Sequence, residues 1–216
     1  MSHTGTLGRI LLIPLVLVLL SGPAYGDFQP QLWRGLLGVA DLPAGYNAWK
    51  PTYEPYDASS SPACSAVLDE LEFSKPRFRG VEYATAGFAK GKFGPWVLET
   101  LRRYPSVATA DLDLDRVLGV LRNCSTFSHA YRGEKAAVIT LKVTPVKMSG
   151  VGERSKALWI TANTNDSWAY GEVLVLARTR GTVMVLSQLA FTPPDAKTAQ
   201  AVVNRAAAKM GTVAGR

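Results

Sequence analysis

In this 216-residue chain, the residues whose spacing most resembles a metal-binding motif are three aspartates at alternate positions, Asp111, Asp113 and Asp115. A calcium loop that begins this way needs glycine at its sixth position and glutamate at its twelfth. Arg116 and Arg122 occupy those two positions. The sequence therefore predicts no calcium site, and we expect the aspartates to lie at a helix N-terminus, where negative charge is favoured.

His129 is the next candidate for chemistry, because it is the only histidine between residues 27 and 216. A serine or cysteine nucleophile needs a histidine base that an acid orients. The neighbours Ser125 and Ser128 belong to an ordinary Ser/Thr stretch, and one histidine cannot make a zinc site alone. We expect no catalytic residue, metal or cofactor, so the chain is predicted not to be an enzyme. A hydrolase that uses His129 is the alternative.

The chain has two cysteines, Cys64 and Cys124. Each cysteine is three or four residues from apolar residues, which is the spacing of one helix face, so each is expected on the buried face of a helix. Two thiols on apolar faces can meet in a core, and an even count in an exported chain favours a disulfide. The pattern predicts a Cys64–Cys124 disulfide, with two buried free thiols as the alternative.

Aromatic residues crowd a stretch without regular periodicity, residues 33–56, and recur on predicted strands. Aromatic side chains on irregular segments can line a ligand cleft. The candidates for lining such a cleft are Trp49, Tyr53, Trp159, Trp168 and Tyr170. The alternative is that these side chains fill the core on the open side of a sheet.

The first 26 residues have the pattern of a secretory signal peptide. Residues 10–20 are apolar but too few to span a bilayer as a helix, which needs roughly 20 residues. Ala24 and Gly26 are small residues at the spacing of a cleavage site, which predicts cleavage after Gly26. An uncleaved membrane anchor is the alternative.

Pro23 stands where a bacterial lipoprotein would carry its acylated cysteine, which argues against lipid anchoring at this site. We therefore expect residues 27–216 to form one secreted, extracytoplasmic domain without a stable membrane anchor. The formal net charge of +7 would suit anionic partners such as phospholipid head groups. The basic residues are scattered singly, so we expect a solvated surface and no nucleic-acid partner.

Periodicity places helices and strands along the chain. Helices are predicted over residues 64–73, 95–104 and 111–123, and a last helix is capped by Thr192, begins at Pro193 and ends at Gly211. Strands are predicted over residues 81–89, 137–143, 157–162, 173–177 and 182–189.

The last two strands are joined by residues 178–181, a hairpin in which Gly181 is expected to take a positive φ. Both strands are apolar on both faces, so both faces should be covered. Short consecutive strands with helices before and after predict an α+β fold, with a mainly antiparallel twisted sheet and flanking helices in one domain.

The order of these features is similar to that of a known group of proteins. The segment 42–46, the two cysteine helices, Val151-Gly152-Glu153, the hairpin and the alanine-rich last helix follow one another along residues 36–210. This order resembles the actinobacterial exported domains related to the extracellular sensor domain of PknH-type Ser/Thr protein kinases. The resemblance implies a sensor-like or ligand-binding domain with a cleft and no catalysis. Those kinase domains carry two disulfides, whereas this chain can form one.

We therefore expect a non-enzymatic secreted domain that binds a small or lipidic ligand or an envelope component. A protein-interaction module at the cell envelope is the alternative.

Overall fold

The structure is a computed structural model that describes residues 30–52, 56, 59–72, 80–131, 137–164, 167–192 and 195–214. Within these ranges eight strands form one antiparallel sheet in the order β1-β2-β3-β8-β7-β6-β5-β4. The strands are β1 (Asn47–Ala48), β2 (Glu82–Ala89), β3 (Trp96–Arg103), β4 (Thr126–Tyr131), β5 (Ala137–Val146), β6 (Arg154–Thr164), β7 (Ser167–Thr179) and β8 (Thr182–Ala190). The helices are α1 (Pro30–Trp33), α2 (Pro62–Glu72), α3 (Val107–Leu121) and α4 (Ala196–Val213). This arrangement confirms the predicted antiparallel sheet with flanking helices.

Each face of the sheet has its own apolar core. On one side, called here the α4 face, α1 and α4 pack on β2, β3, β7 and β8. On the other side, called here the disulfide face, α2 and α3 pack on β5, β6, β7 and β8. Alanines on α4, including Ala199 and Ala206, are fully buried, because small side chains allow the helix to approach the strands closely.

Strands β7 and β8 lie in the middle of the sheet and are covered on both faces, as predicted. Val175 belongs to the core of the α4 face, whereas Leu174 and Leu176 belong to that of the disulfide face. At the hairpin turn the prediction is wrong in one detail, because Arg180 and not Gly181 has the positive φ, of 52°. The carboxylate of Glu153 accepts the N–H of Arg180 at 3.1 Å, which holds this turn in place.

Residues 95–104, predicted as a helix, form strand β3 instead. The apolar spacing from Val97 to Tyr104 fits one helix face, but it also fits a strand whose two faces are both buried. Strand β3 pairs along its whole length with β2 and with β8. Strand β3 contains two charged residues, Glu99 and Arg102, which in a sequence usually indicate an exposed segment. Both are nevertheless buried in the folded chain, so the sequence does not reveal that the strand is buried.

The last helix begins and ends later than predicted. Its N-cap is Asp195, whose side chain accepts the N–H of Thr198 at 2.6 Å, and not Thr192. Gly211 lies inside the helix, which continues to Val213 because the packing of that residue into the α4-face core outweighs the low helix propensity of glycine.

Helix α3 begins four residues earlier than predicted, at Val107, with Ser106 as its N-cap. Asp111 therefore lies in the second turn rather than at the helix N-terminus, and its carboxylate pairs with Arg154 and Arg178. Strand β4, which the sequence analysis did not predict, lies at the edge of the sheet beside β5.

The predicted Cys64–Cys124 disulfide is confirmed, with Cα atoms 5.7 Å apart. It joins the first turn of α2 to the segment that follows α3, over a sequence separation of 60 residues. Both cysteines are buried in the core of the disulfide face. The bond thereby fixes the two helices that cover this face.

Charged side chains link the same two helices to β3. Arg102 donates to the backbone carbonyl of Glu70, and Arg116 pairs with Glu70 and with Asp113, the latter at 2.7 Å. Tyr104 donates to the other carboxylate oxygen of Asp113. Because every bond lies in or beside the core, this network specifies how α2 and α3 sit on the sheet.

The predicted signal peptide, residues 1–26, lies outside the described residues. Among the helices that the structure does describe, none has the length and apolar character needed to cross a bilayer.

Replacing both Cys64 and Cys124 by alanine should lower the free energy of unfolding by about 4 kcal/mol, the loop-entropy value for a closed loop of this length. Urea unfolding followed by circular dichroism would measure the difference. The wild type under reducing conditions is the control and should unfold at nearly the midpoint of the double variant. An unchanged midpoint would show that the bond does not restrict the unfolded chain.

Candidate ligand groove

A groove of about 430 Å³ lies on the disulfide face, between the C-terminal half of α3 and strands β5 and β6. We call it the basic groove. It is lined by Leu118, Leu121, Arg122, Cys124, Ser125, Val143, Pro145, Arg154, Lys156 and Leu158. Its volume falls within the range of small-molecule sites, about 300–1,000 Å³.

The periodicity of each element explains which residues line the basic groove. Helix α3 supplies Leu118, Leu121 and Arg122, which share a face because residues three and four apart on a helix are neighbours. Strands β5 and β6 supply alternate residues, since side chains two apart on a strand point to the same side. These are Val143 and Pro145 from β5, and Arg154, Lys156 and Leu158 from β6.

The charged residues in the lining are all cationic. Arg154 pairs with Asp111 at 3.3 Å and also with Asp115, and this hydrogen-bonded pair lowers the pKa of Asp115. Arg122 donates from Nε to the backbone carbonyl of Leu118 at 3.2 Å, inside its own helix. Carboxylates already neutralise Arg154, and the charge of Arg122 also interacts with Asp115. Lys156 is therefore the charge best placed to attract a ligand, followed by Arg122.

A second groove, of about 480 Å³, lies on the α4 face at the same β5–β6 connection, and Lys156 borders both grooves. Its lining runs from Val146 to Ser149 and includes Gln200 of α4. The side-chain oxygen of Gln200 accepts the backbone N–H of Ser149 at 3.3 Å, and the side-chain nitrogen of Gln200 donates to the backbone carbonyl of Ser149 at 3.1 Å. The two bonds satisfy polar groups within the chain, and the lining has no comparable apolar floor.

Buried acids and tyrosines lie together on the disulfide face near the end of α2. Tyr56 donates its hydroxyl to Glu72 at 3.2 Å, and its ring meets that of His129 edge-on at 4.9 Å. Tyr170 and Glu172, on β7, approach this pair from the sheet. We call these five residues the acid–tyrosine cluster.

Burial sets the protonation of this cluster. It raises the pKa of Glu172 to about 7, a shift that the Ser187 hydroxyl partly offsets. The pKa of Glu72 is raised well above its ordinary value by burial and then by the charge of Glu172. Burial also raises the pKa of both tyrosines. Burial therefore favours the protonated, neutral form of both carboxyls.

A third buried carboxyl, Glu99 of β3, lies on the α4 face. It accepts the backbone N–H of Leu37 at 2.6 Å, and burial raises its pKa to about 8, although that bond and the charge of Lys209 lower it in part. The hydrogen bond from Leu37 links the segment after α1 to strand β3. Its acceptor, the Glu99 carboxyl, is largely protonated at neutral pH.

The structure does not bring the predicted aromatic residues to one place. Trp49 lies over Gly87 near Trp96, and Tyr170 lies in the acid–tyrosine cluster, both on the disulfide face. Trp159 packs against the core of the α4 face, on the opposite side of the sheet. Trp168 lies on β7 and its side chain is outside the described part, as is Tyr53. The described lining of the basic groove includes none of the five.

Sequence reasoning missed the cations of the basic groove because it assigned the scattered basic residues to a solvated surface. The signal that could have found them is the alternation of Arg154, Lys156 and Leu158 on one strand, opposite an apolar face of α3. Over the described ranges, no group of three or more His, Cys, Asp or Glu side chains is arranged to hold a metal ion.

The sequence matches no protein-family model and no curated protein. Among solved structures, the chain is similar to the extracellular domain of PknH from Mycobacterium tuberculosis, with a TM-score of 0.61 and 12% identity. The similarity covers 87% of this chain and 98% of that one. At this identity the comparison establishes a shared fold, which confirms at that level the resemblance found in the sequence.

Replacing Glu99 by glutamine should stabilise the protein increasingly as the pH rises from 5 to 9. A carboxyl whose pKa is raised from 4.5 to about 8 on folding contributes stability that is complete below the unfolded value and is lost as the pH rises through the folded value. Glutamine removes that loss and keeps an oxygen for the Leu37 N–H. We expect a gain of at least about 1 kcal/mol at pH 9. Urea unfolding from pH 5 to pH 9 measures the free energy of unfolding of both proteins. If that free energy changed with pH equally in the variant and the wild type, the raised pKa of Glu99 would be contradicted.

Proposed function

We propose that this chain is a non-enzymatic, extracytoplasmic ligand-binding domain, and that the basic groove holds a small anionic amphiphile. The observation that carries the proposal is the groove itself, in which an apolar floor is bordered by cations and by no acidic residue among its lining.

The disulfide and the fold support the extracytoplasmic location. Structural disulfides persist in oxidising compartments and are rare in the cytosol. Both cysteines of the Cys64–Cys124 bond are buried in the disulfide-face core, so the bond is part of the folded framework. The similar solved structure is itself an extracellular domain.

The chemistry of the basic groove favours an amphiphile over a purely polar ligand. Leu118, Leu121 and Leu158 offer an apolar surface from which a hydrocarbon chain would displace water. Arg122 and Lys156 can each donate charge-assisted hydrogen bonds to a carboxylate or phosphate. A ligand with a short alkyl chain and one anionic group would satisfy both requirements.

The surroundings of the reactive side chains support the absence of catalysis. His129 is buried, with its ring against Tyr56 and its Nδ1 3.3 Å from the carbonyl oxygen of Ala130. Both cysteines are held in the disulfide. The carboxyls with strongly raised pKa values are enclosed in the two cores and not in the basic groove.

Isothermal titration calorimetry with decanoate tests the groove, with 1-decanol as the neutral probe of equal chain length. We expect one decanoate per protein and much weaker binding of decanol. Lys156→Gln and Arg122→Gln should each weaken decanoate binding by about tenfold, the effect of losing one charge-assisted hydrogen bond.

Lys142→Gln is the matched control, since Lys142 is an exposed lysine of β5 outside the groove lining. Equal decanoate affinities for Lys156→Gln, Lys142→Gln and the wild type would exclude the basic groove as the site.

A further inference from the structure

Aromatic and basic side chains are concentrated at one end of the sheet, where β2 turns into β3 and where β8 ends. Residues Ala89, Trp96 and Leu189 pair across the three strands there, so the turn and the end of β8 emerge side by side. We call this surface the aromatic end. It consists of Trp49, Lys50, Lys90, Lys92, Phe93, Trp96 and Phe191.

The aromatic end exposes apolar rings to solvent. The side chain of Phe93, in the β2–β3 turn, is 69% exposed, and that of Phe191 is 48% exposed. Single exposed apolar residues are ordinary on protein surfaces, but two exposed phenylalanines on adjoining segments form a local apolar surface that needs a reason.

The rings beneath are packed into a rigid support. The rings of Trp96 and Phe191 meet edge-on with centroids 5.3 Å apart, and the centroid of the Trp49 ring lies 6.4 Å from that of Trp96. Gly94 has a φ of +79°, and a side chain there would lie 2.5 Å from the Trp96 ring. The turn therefore lies directly against that ring, which presents Phe93 on a fixed base.

The charged residues in the described segments that build this surface are lysines. Lys50, Lys90 and Lys92 are exposed, and the Lys92 ammonium lies 5.4 Å from the centre of the Phe93 ring. Segments 45–52, 87–98 and 187–192, which build the surface, contain no aspartate or glutamate.

We propose that the aromatic end is a docking surface for an anionic lipid bilayer. Aromatic rings favour the membrane interface, and lysines can place their ammonium groups among anionic head groups while their methylenes stay in the apolar layer. Negatively charged head groups attract basic segments that lie close to the membrane surface. An exposed phenylalanine beside a lysine suits insertion into a soft interface, whereas a protein partner would be better matched by a broad flat surface. The contact is peripheral, by side chains and not by a spanning helix.

This proposal is independent of the basic groove. The groove lies beside α3 at Val143, Lys156 and Leu158, near the β5–β6 connection, whereas the aromatic end lies on the opposite half of the sheet. Loss of decanoate binding would leave the membrane proposal standing, and the reverse also holds.

Co-sedimentation of the full chain with vesicles tests the proposal. We expect binding to vesicles of phosphatidylglycerol and phosphatidylcholine in equal parts, weakened by salt, and little binding to phosphatidylcholine alone. Phe93→Ala should reduce binding to the mixed vesicles by about tenfold, the effect of losing one buried aromatic side chain. Lys92→Glu should reduce it by a similar factor by reversing one charge at the surface.

Two matched variants control for general effects of apolar area and charge. Leu112→Ala removes an apolar side chain that is 62% exposed on α3, and Lys142→Glu reverses an exposed charge on β5. Both should bind the mixed vesicles as the wild type does. All variants share the same N-terminal residues, so any membrane affinity of that segment cancels in the comparison. Equal binding by Phe93→Ala, Leu112→Ala and the wild type, or no binding by any of them, would overturn the proposal.

Discussion

The central strands of the sheet are buried on both faces, and the rest of the structure depends on that constraint. Strands β7 and β8 place apolar residues alternately toward α4 and toward the α2–α3 pair. A sheet of this kind needs a helical layer on each side, because either face alone would expose a continuous apolar surface to water. The disulfide and the Glu70–Arg102–Arg116 network hold one of those layers in place.

The interior also carries acids in both cores, which is unusual for strands so fully covered. Glu99 is held by the Leu37 N–H on the α4 face, and Glu172 lies beside Tyr170 on the disulfide face. Burial raises the pKa of both, because the charged form of a carboxyl is disfavoured away from water.

The two candidate surfaces use different parts of the same sheet. The basic groove lies between the end of α3 and strands β5 and β6, where an apolar floor adjoins Arg122 and Lys156. The aromatic end lies at the turn after β2, where Phe93 is 69% exposed. The similarity to the PknH extracellular domain establishes the shared fold.

Local sequence determined those features whose physical cause lies within a few neighbouring residues. The β7–β8 hairpin, helix α2 and most of α3 follow from periodicity. The apolar spacing around each cysteine also predicted the disulfide, although Cys124 lies just after the end of α3 and not on the helix. Long-range pairing decided the others. Strand β3 has a spacing that fits either a helix or a doubly buried strand, and only its pairing with β2 and β8 selects the strand. The same reason applies to the sites, because Arg122 and Lys156, or Trp96 and Phe191, are far apart in the chain and meet only when the sheet assembles.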